Sequence, residues 1–252
     1  MSAGDVAGKP FWDDRLASST LSYQEGYKPA AFDLWGAYLP PGPGKSCLEI
    51  GCFPGRNLIF LHKKLGYYPM GVDYTVHLSR VPTLFKQEGI EEYRLLQTDF
   101  LELPAGIKAD LVFSMGFVEH FDNFEAVLRK HVEHTKPGGY IVVEIPNFRY
   151  CQYYLHKLFD AEILRKHVLK VMRPKVLAEG LQRAGATVIM STYWETFDWW
   201  CDNSPQSRLA GALCRCLYLL SNQTKWYLKR LDWDRVPNRW FSPFIVCIAK
   251  IS

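Results

Sequence analysis

Cys47-Leu48-Glu49-Ile50-Gly51-Cys52-Phe53-Pro54-Gly55-Arg56-Asn57-Leu58 runs from a short apolar stretch, through a turn carrying two glycines, into a helical pattern. Glycine in such a turn lets the backbone fold tightly and come close to a ligand. Downstream, GRNLIFLHKKLG sets Leu58, Leu61 and Leu65 at helical spacing and closes on Gly66, the residue type that most easily takes the left-handed turn after a helix. The stretch therefore predicts a buried strand, a ligand-facing turn and a crossover helix.

The same alternation continues from Lys45 to Asn147. SCLEIG (46–51), YYPMGVD (67–73), YRLLQTDF (93–100), ADLVFSMG (109–116) and YIVVEIPN (140–147) read as five strands covered on both faces, the signature of βαβ units in a parallel sheet. Between them, VHLSRVPTLFKQEG (76–89) reads as a short helix if Pro82 lies in its first turn. DNFEAVLRKHVEHTKPGG (122–139) reads as a helix opened by a capping box of Asp122 and Glu125 and stopped at Pro137-Gly138-Gly139. RPKVLAEGLQRAG (173–185) predicts a helix, ATVIMSTYWETF (186–197) a strand, and FIVCIAKIS (244–252) a closing strand. At this length one domain is expected, with a helical N-terminal cover over 1–44 and a cofactor-binding core over 45–147. An acceptor-side region over 148–241, with a helical insertion at 198–241, and the last strand at 242–252 complete it.

Two acidic positions give the turn a chemical meaning. Asp73 ends the second strand about twenty residues beyond the glycine turn, where a carboxylate can accept hydrogen bonds from both hydroxyls of a ribose. Asp99-Phe100 ends the third, placing an acceptor for an adenine amino group beside a ring able to cover the base.

Glu49-Ile50-Gly51-Cys52-Phe53-Pro54-Gly55, Gly71-Val72-Asp73, Thr98-Asp99-Phe100 and Phe117-Val118-Glu119-His120-Phe121 together resemble the successive motifs of the class I S-adenosylmethionine-dependent methyltransferases, of the type 11/12-like domain. The resemblance covers roughly residues 45–147 and the terminal strand pair. It implies an α/β, Rossmann-like fold with a seven-stranded, mostly parallel sheet in order 3-2-1-4-5-7-6, helices on both faces and a last antiparallel strand. It also implies S-adenosyl-L-methionine as cofactor. By position, Glu49, Gly51, Cys52 and Gly55 would surround the methionine part, Asp73 with Tyr74 the ribose, and Asp99 with Phe100 the adenine. Met115 or Gly116 would lie near the sulfonium, and Tyr23 would close over the cofactor's carboxylate. Phe53 stands where the family has its middle glycine, making the loop bulkier.

If the acceptor is a hydroxyl, His120 is the candidate catalytic base, because an imidazole's ordinary pKa lies near neutrality. Phe117, Tyr150, Trp199 and Trp200 are candidates for the walls of an acceptor pocket. Methylation of a small molecule or sugar, at oxygen, is the preferred expectation. RNA or protein is the second, on the basic stretches RKHVLKVMRPK (165–175) and KWYLKR (225–230) with their aromatic neighbours. A non-catalytic partner subunit is the third, argued from Phe53. A nicotinamide-dependent oxidoreductase is disfavoured, since Arg56 stands where its fingerprint wants a glycine.

Composition bounds these readings. A hydrophobic share of 48% with 22% charged residues is that of a folding, globular chain. A net charge of +4 does not by itself point to nucleic acid. The seven cysteines include no CxxC pair and fit no zinc spacing, so no metal and reduced thiols are expected. The start shows no basic-then-apolar order, and no run approaches the roughly 20 apolar residues of a membrane span, which places the chain in the cytoplasm.

Overall fold

The computed structural model describes residues 4–199 and 208–252. Seven strands, β1 (Ser46–Ile50), β2 (Tyr68–Asp73), β3 (Arg94–Gln97), β4 (Ala109–Met115), β5 (Thr135–Pro146), β6 (Thr187–Trp194) and β7 (Phe244–Lys250), form one sheet in the order β3-β2-β1-β4-β5-β7-β6. Strands β1 to β5 run parallel, with Leu48 opposite both Met70 and Val112. β7 lies antiparallel between β5 and β6. The strand order reverses between β1 and β4, and their carboxyl ends flank the crevice where such sheets take ligands.

Nine helices surround the sheet among the described residues: α1 (Lys9–Ala17), α2 (Phe32–Trp35), α3 (Arg56–Leu65), α4 (Val81–Gln87), α5 (Phe124–Glu133), α6 (Tyr150–Phe159), α7 (Ala161–Arg165), α8 (Pro174–Arg183) and α9 (Arg208–Arg230). All of β1 is buried, and its side chains alternate between two cores. Leu48 and Ile50 join Val127 and Leu128 of α5 and Leu177 and Leu181 of α8. Cys47, on the other face, joins Leu58 and Leu61 of α3, Leu84 and Phe85 of α4, and Trp35 of α2. The period of two along β1 is thus what holds helices to both faces.

Trp35 anchors α2. It is fully buried, its indole N–H donates to the Ala30 carbonyl at 3.2 Å, and its ring meets Phe32 edge-on at 4.8 Å and stacks toward Phe113 of β4 at 6.3 Å. The segment before α1 crosses the carboxyl edge of the sheet. Val6 N–H donates to the His120 carbonyl at 2.8 Å, and Asp5 accepts from the Tyr74 hydroxyl at 2.8 Å.

Two local expectations change. The cap of α5 is Asn123, whose side chain accepts from Ala126 N–H at 3.2 Å, while Glu125 pairs with Arg183 of α8. That helix ends at Glu133, and β5 spans Thr135–Pro146, taking in Pro137-Gly138-Gly139 where its register against β4 shifts. Pro82 falls in the first turn of α4, where its missing N–H costs nothing, and a tight 3-10 turn over Val76–Arg80 precedes it. The insertion is built on α9, of 23 residues; Trp200 lies outside the described residues.

Candidate functional site

The site is assembled where β1, β2 and β4 end. Gly51 takes φ 71°, and a Cβ there would sit 2.9 Å from Phe117 Cδ2, so the turn after β1 admits only glycine without a shift. Asp73, at the end of β2, accepts from Phe53 N–H at 3.1 Å through Oδ2 and from Thr75 N–H at 3.0 Å through Oδ1. Each oxygen retains further accepting capacity. A cavity of about 160 Å³ is lined by Gly51, Phe53, Asp73, Tyr74, Met115, Gly116 and His120, among others. A second, of about 430 Å³, continues from Asp5 and Tyr74 to Thr98, Asp99 and Glu102. The two carboxylates that the sequence singles out therefore face one divided groove. Asp99 also caps the short turn after β3, accepting from Leu101 N–H at 2.9 Å.

Behind Gly51 lies a relay that the sequence did not announce. The Tyr27 hydroxyl donates to Asn57 Oδ1 at 2.6 Å, and Asn57 Nδ2 donates to Glu49 Oε1 at 2.6 Å. Glu49 is 3% exposed, and its Oε2 has no hydrogen-bond partner. Burial pushes its carboxyl up to about 8, and the nearby Asp73 adds to the rise. A buried acceptor in this state lacks a cation. The ammonium of an amino acid is the complement, which is how these residues fit the methionine end of S-adenosylmethionine.

A third cavity, of about 430 Å³, adjoins the first through Trp12, Gly116 and His120, and its walls include Phe11, Phe148 and Phe244. His120 sits between the two spaces. Its Nδ1 donates to the Lys166 carbonyl at 2.7 Å, which leaves the lone pair of the neutral ring on Nε2. Burial, with His167 alongside, lowers its pKa to about 3. Burial thus disfavours the imidazolium that a proton-accepting histidine must become, which weighs against His120 as a base.

Several other sequence-named residues lie off the groove. Phe100 is 2% exposed and packs into the core against His131 and Phe117, at ring distances of 5.3 and 6.0 Å, so it covers no base. Tyr23 packs edge-on against Tyr27 at 5.7 Å under the Lys63 ammonium, and Tyr27 makes the contact to the relay instead. Cys52 is buried beneath Gly71, and Gly55, at φ 90°, opens α3 tight against Phe85 and Val81. Phe117 lines the first cavity, Tyr150 lies at a separate surface hollow beside Trp240, and Trp199 is buried against Phe159.

A glycine turn at the switch point, followed by carboxylates closing two further strands, defines a nucleoside-binding, Rossmann-like α/β fold. The family described as a methyltransferase domain matches residues 23–191. The chain belongs to that family, and its cofactor is S-adenosyl-L-methionine. Solved structures agree on the fold. An S-adenosylmethionine-dependent methyltransferase from Archaeoglobus fulgidus superposes with a TM-score of 0.54 at 22% identity, covering 86% of this chain and 90% of that one. A possible histamine N-methyltransferase from Thermotoga maritima gives 0.56 at 15% identity, covering 88% of each chain. Geranyl diphosphate C-methyltransferase from Streptomyces coelicolor, in complex with Mg2+, geranyl diphosphate and S-adenosyl-L-homocysteine, gives 0.58 at 13% identity, covering 88% of this chain and 78% of that one. Among curated proteins, none matches the sequence.

The state of Glu49 has a measurable consequence. Burial raises its carboxyl to about 8 in the free protein, so if the cofactor's ammonium faces Glu49 and ionises it, binding is expected to release a proton at neutral pH. Affinity is expected to rise with pH toward about 8, approaching tenfold per unit, and to level off above. In the free protein the sign is opposite. The raised carboxyl stabilises the fold fully below its unfolded value of 4.5, and that contribution fades as pH rises to about 8. Calorimetric titrations across pH check the first slope, and Glu49→Gln should flatten it; an unchanged slope in that variant would remove Glu49 from the ammonium's contacts.

Proposed function

We propose that this protein transfers the methyl group of S-adenosylmethionine to an oxygen of a small molecule, a sugar or related hydroxyl compound, held in the chamber lined by Phe11, Trp12, Phe148 and Phe244. The observation that carries this reading is the size and place of that chamber. At about 430 Å³ it is in the range of small-molecule sites, and it meets the cofactor groove at Gly116 and His120. S-adenosylmethionine supplies an electrophilic methyl group on a positively charged sulfur.

The residues do the rest by placement. Asp73 and Tyr74 hold the ribose, Asp99 the adenine, and Glu49, backed by Asn57 and Tyr27, the ammonium. Gly51 and Gly116 let the backbone pass close to the sulfonium, and Met115 fills the wall beside it. The aromatic chamber orients the acceptor and excludes water, which is the main requirement of an in-line displacement that destroys charge. His120 offers Nε2 as a hydrogen-bond acceptor that points the acceptor oxygen. The expected place of action is the cytoplasm: Cys47, Cys52 and Cys247, buried in the core as thiols, suit a reducing compartment, and no helix among the described residues is long and apolar enough to cross a membrane.

One observation favours the second reading, an RNA acceptor. Trp226 and Tyr227 are 52% and 62% exposed on α9, and the Arg230 guanidinium lies 4.6 Å over Trp226. That is a platform on which a base can stack. Cell extract separated into small-molecule, RNA and protein fractions and incubated with labelled S-adenosylmethionine tests both. Label in the small-molecule fraction, lost in a Trp12→Ala variant, is the expected result. Label in RNA, insensitive to Trp12 and lost on replacing Trp226, would overturn it.

A further inference from the structure

Glu119 follows β4 in the short turn Val118–His120, is 1% exposed, and has neither carboxylate oxygen hydrogen-bonded. A buried acid in that condition needs a cation or a donor. Its surroundings supply ligands of another kind. His120 Nε2 lies 3.7 Å from Glu119 Oε1, and the rings of His120 and His167 are 4.4 Å apart. One donor atom from each of Glu119, His120 and His167 lies within 4.8 Å of the other two.

The imidazoles are oriented alike. His120 Nδ1 donates to the Lys166 carbonyl and His167 Nδ1 to the Ile163 carbonyl, both at 2.7 Å, so in each neutral ring Nε2 carries the lone pair. Outer hydrogen bonds of this sort fix the tautomer of metal-binding histidines. The two segments are also tied by main chain, Val168 N–H donating to the Glu119 carbonyl at 2.7 Å. A tetrahedral ion with bonds of about 2.1 Å needs ligand atoms roughly 3.4 Å apart, so a contraction of up to about 1.4 Å at the widest pair closes the set. His167, half-buried on the segment after α7, is the least enclosed of the three.

We propose that Glu119, His120 and His167 form a binding site for a divalent first-row transition metal at the wall of the acceptor chamber. Two imidazoles and one carboxylate favour Zn2+, Co2+ or Fe2+ over Mg2+ and Ca2+, which prefer all-oxygen shells. All three ligands line the chamber that also meets Gly116, so the remaining coordination positions face the acceptor. The charged neighbours are mixed. Glu144 of β5, buried and close enough to disfavour a second negative charge on Glu119, strengthens the pull on a cation, whereas Asp198 in the same wall is already paired with Lys225 at 2.8 Å and Arg15 opposes the pull. The consequence for catalysis rests on the methyl-transfer reading above: the metal, rather than a histidine nitrogen, would hold and acidify the acceptor hydroxyl. Sequence spacing hid the site because two ligands are adjacent and the third arrives from a separate segment.

Titration of the chelator-treated full chain with Co2+, read by its visible absorption, tests this without cofactor or acceptor. One equivalent is expected to bind with a visible band, and Glu119→Gln and His167→Ala are each expected to weaken binding at least tenfold. No saturable band, or unchanged binding in both variants at wild-type thermal stability, would overturn the site. Should Glu119→Gln fail to fold, His167→Ala decides alone. Failure here leaves methyl transfer standing, since that reading is scored by labelled product, and failure of the O-methyl assignment leaves the Co2+ result standing.

Discussion

Replacing Asp73 by alanine is expected to weaken S-adenosylmethionine binding by two to three orders of magnitude. Two hydrogen bonds from ribose hydroxyls to a carboxylate are each worth about 1.5–3 kcal/mol, and their joint loss is on the order of 3–4 kcal/mol. The same carboxylate accepts Phe53 N–H and Thr75 N–H, so the substitution also loosens the loop that borders the cofactor. Asp73→Asn separates these effects. Its amide oxygen can serve one main-chain donor but cannot accept from all four, and an intermediate loss is expected. Calorimetric titration with the cofactor, beside a thermal melt of each variant, makes the comparison. A dissociation constant within threefold of wild type in Asp73→Ala would mean that the ribose is held elsewhere.

The largest effect on stability is expected from Trp35→Ala. The side chain is fully buried between Phe32 and Phe113, and its truncation removes the transfer energy of a large ring and leaves a cavity, together about 3–5 kcal/mol. For a chain of this size the melting temperature should fall on the order of 10 °C. The loss is specific to the seam between α2 and the sheet, so Phe32→Ala in the same background should cost less than the sum of the two single changes. Denaturant melts of the two single variants and the double variant measure it. A cost below about 1 kcal/mol for Trp35→Ala would show that the segment around α2 contributes little to the folded state.

The sheet order followed from the family resemblance, whereas the strands themselves and the ends of the central ones could be read in advance because the constraint there is local. Apolar runs of strand length separated by helical patterns leave few alternatives, and residues such as Gly51, Asp73 and Asp99 sit at fixed offsets from strand ends. What escaped is what depends on contacts between distant segments. Tyr27 and Asn57 carry no pattern of their own; they matter because the N-terminal cover brings a hydroxyl to the first turn of α3, opposite Glu49. Phe100 was assigned to the ligand by its neighbour Asp99, yet side chains flanking a strand end alternate in direction, and the ring turned inward. His120 stands at the junction of two cavities, and the lowering of its imidazole pKa by burial depends on surroundings that an isolated motif does not disclose. The capping of α5 missed by one residue, the scale on which Asp122 and Asn123 are equivalent from sequence.

The crossing of the carboxyl edge by residues 5–13 bears on how the protein should be handled. Asp5 touches Tyr74, and Thr75 donates to Asp13 at 2.8 Å, so anything fused ahead of Gly4 emerges beside the cofactor groove. The other end leaves on the opposite rim, where Lys250 pairs with Tyr140 at the start of β5's parallel run. An affinity tag or fluorescent label therefore belongs after Ser252, and a label placed at the amino end would report on ligand entry instead.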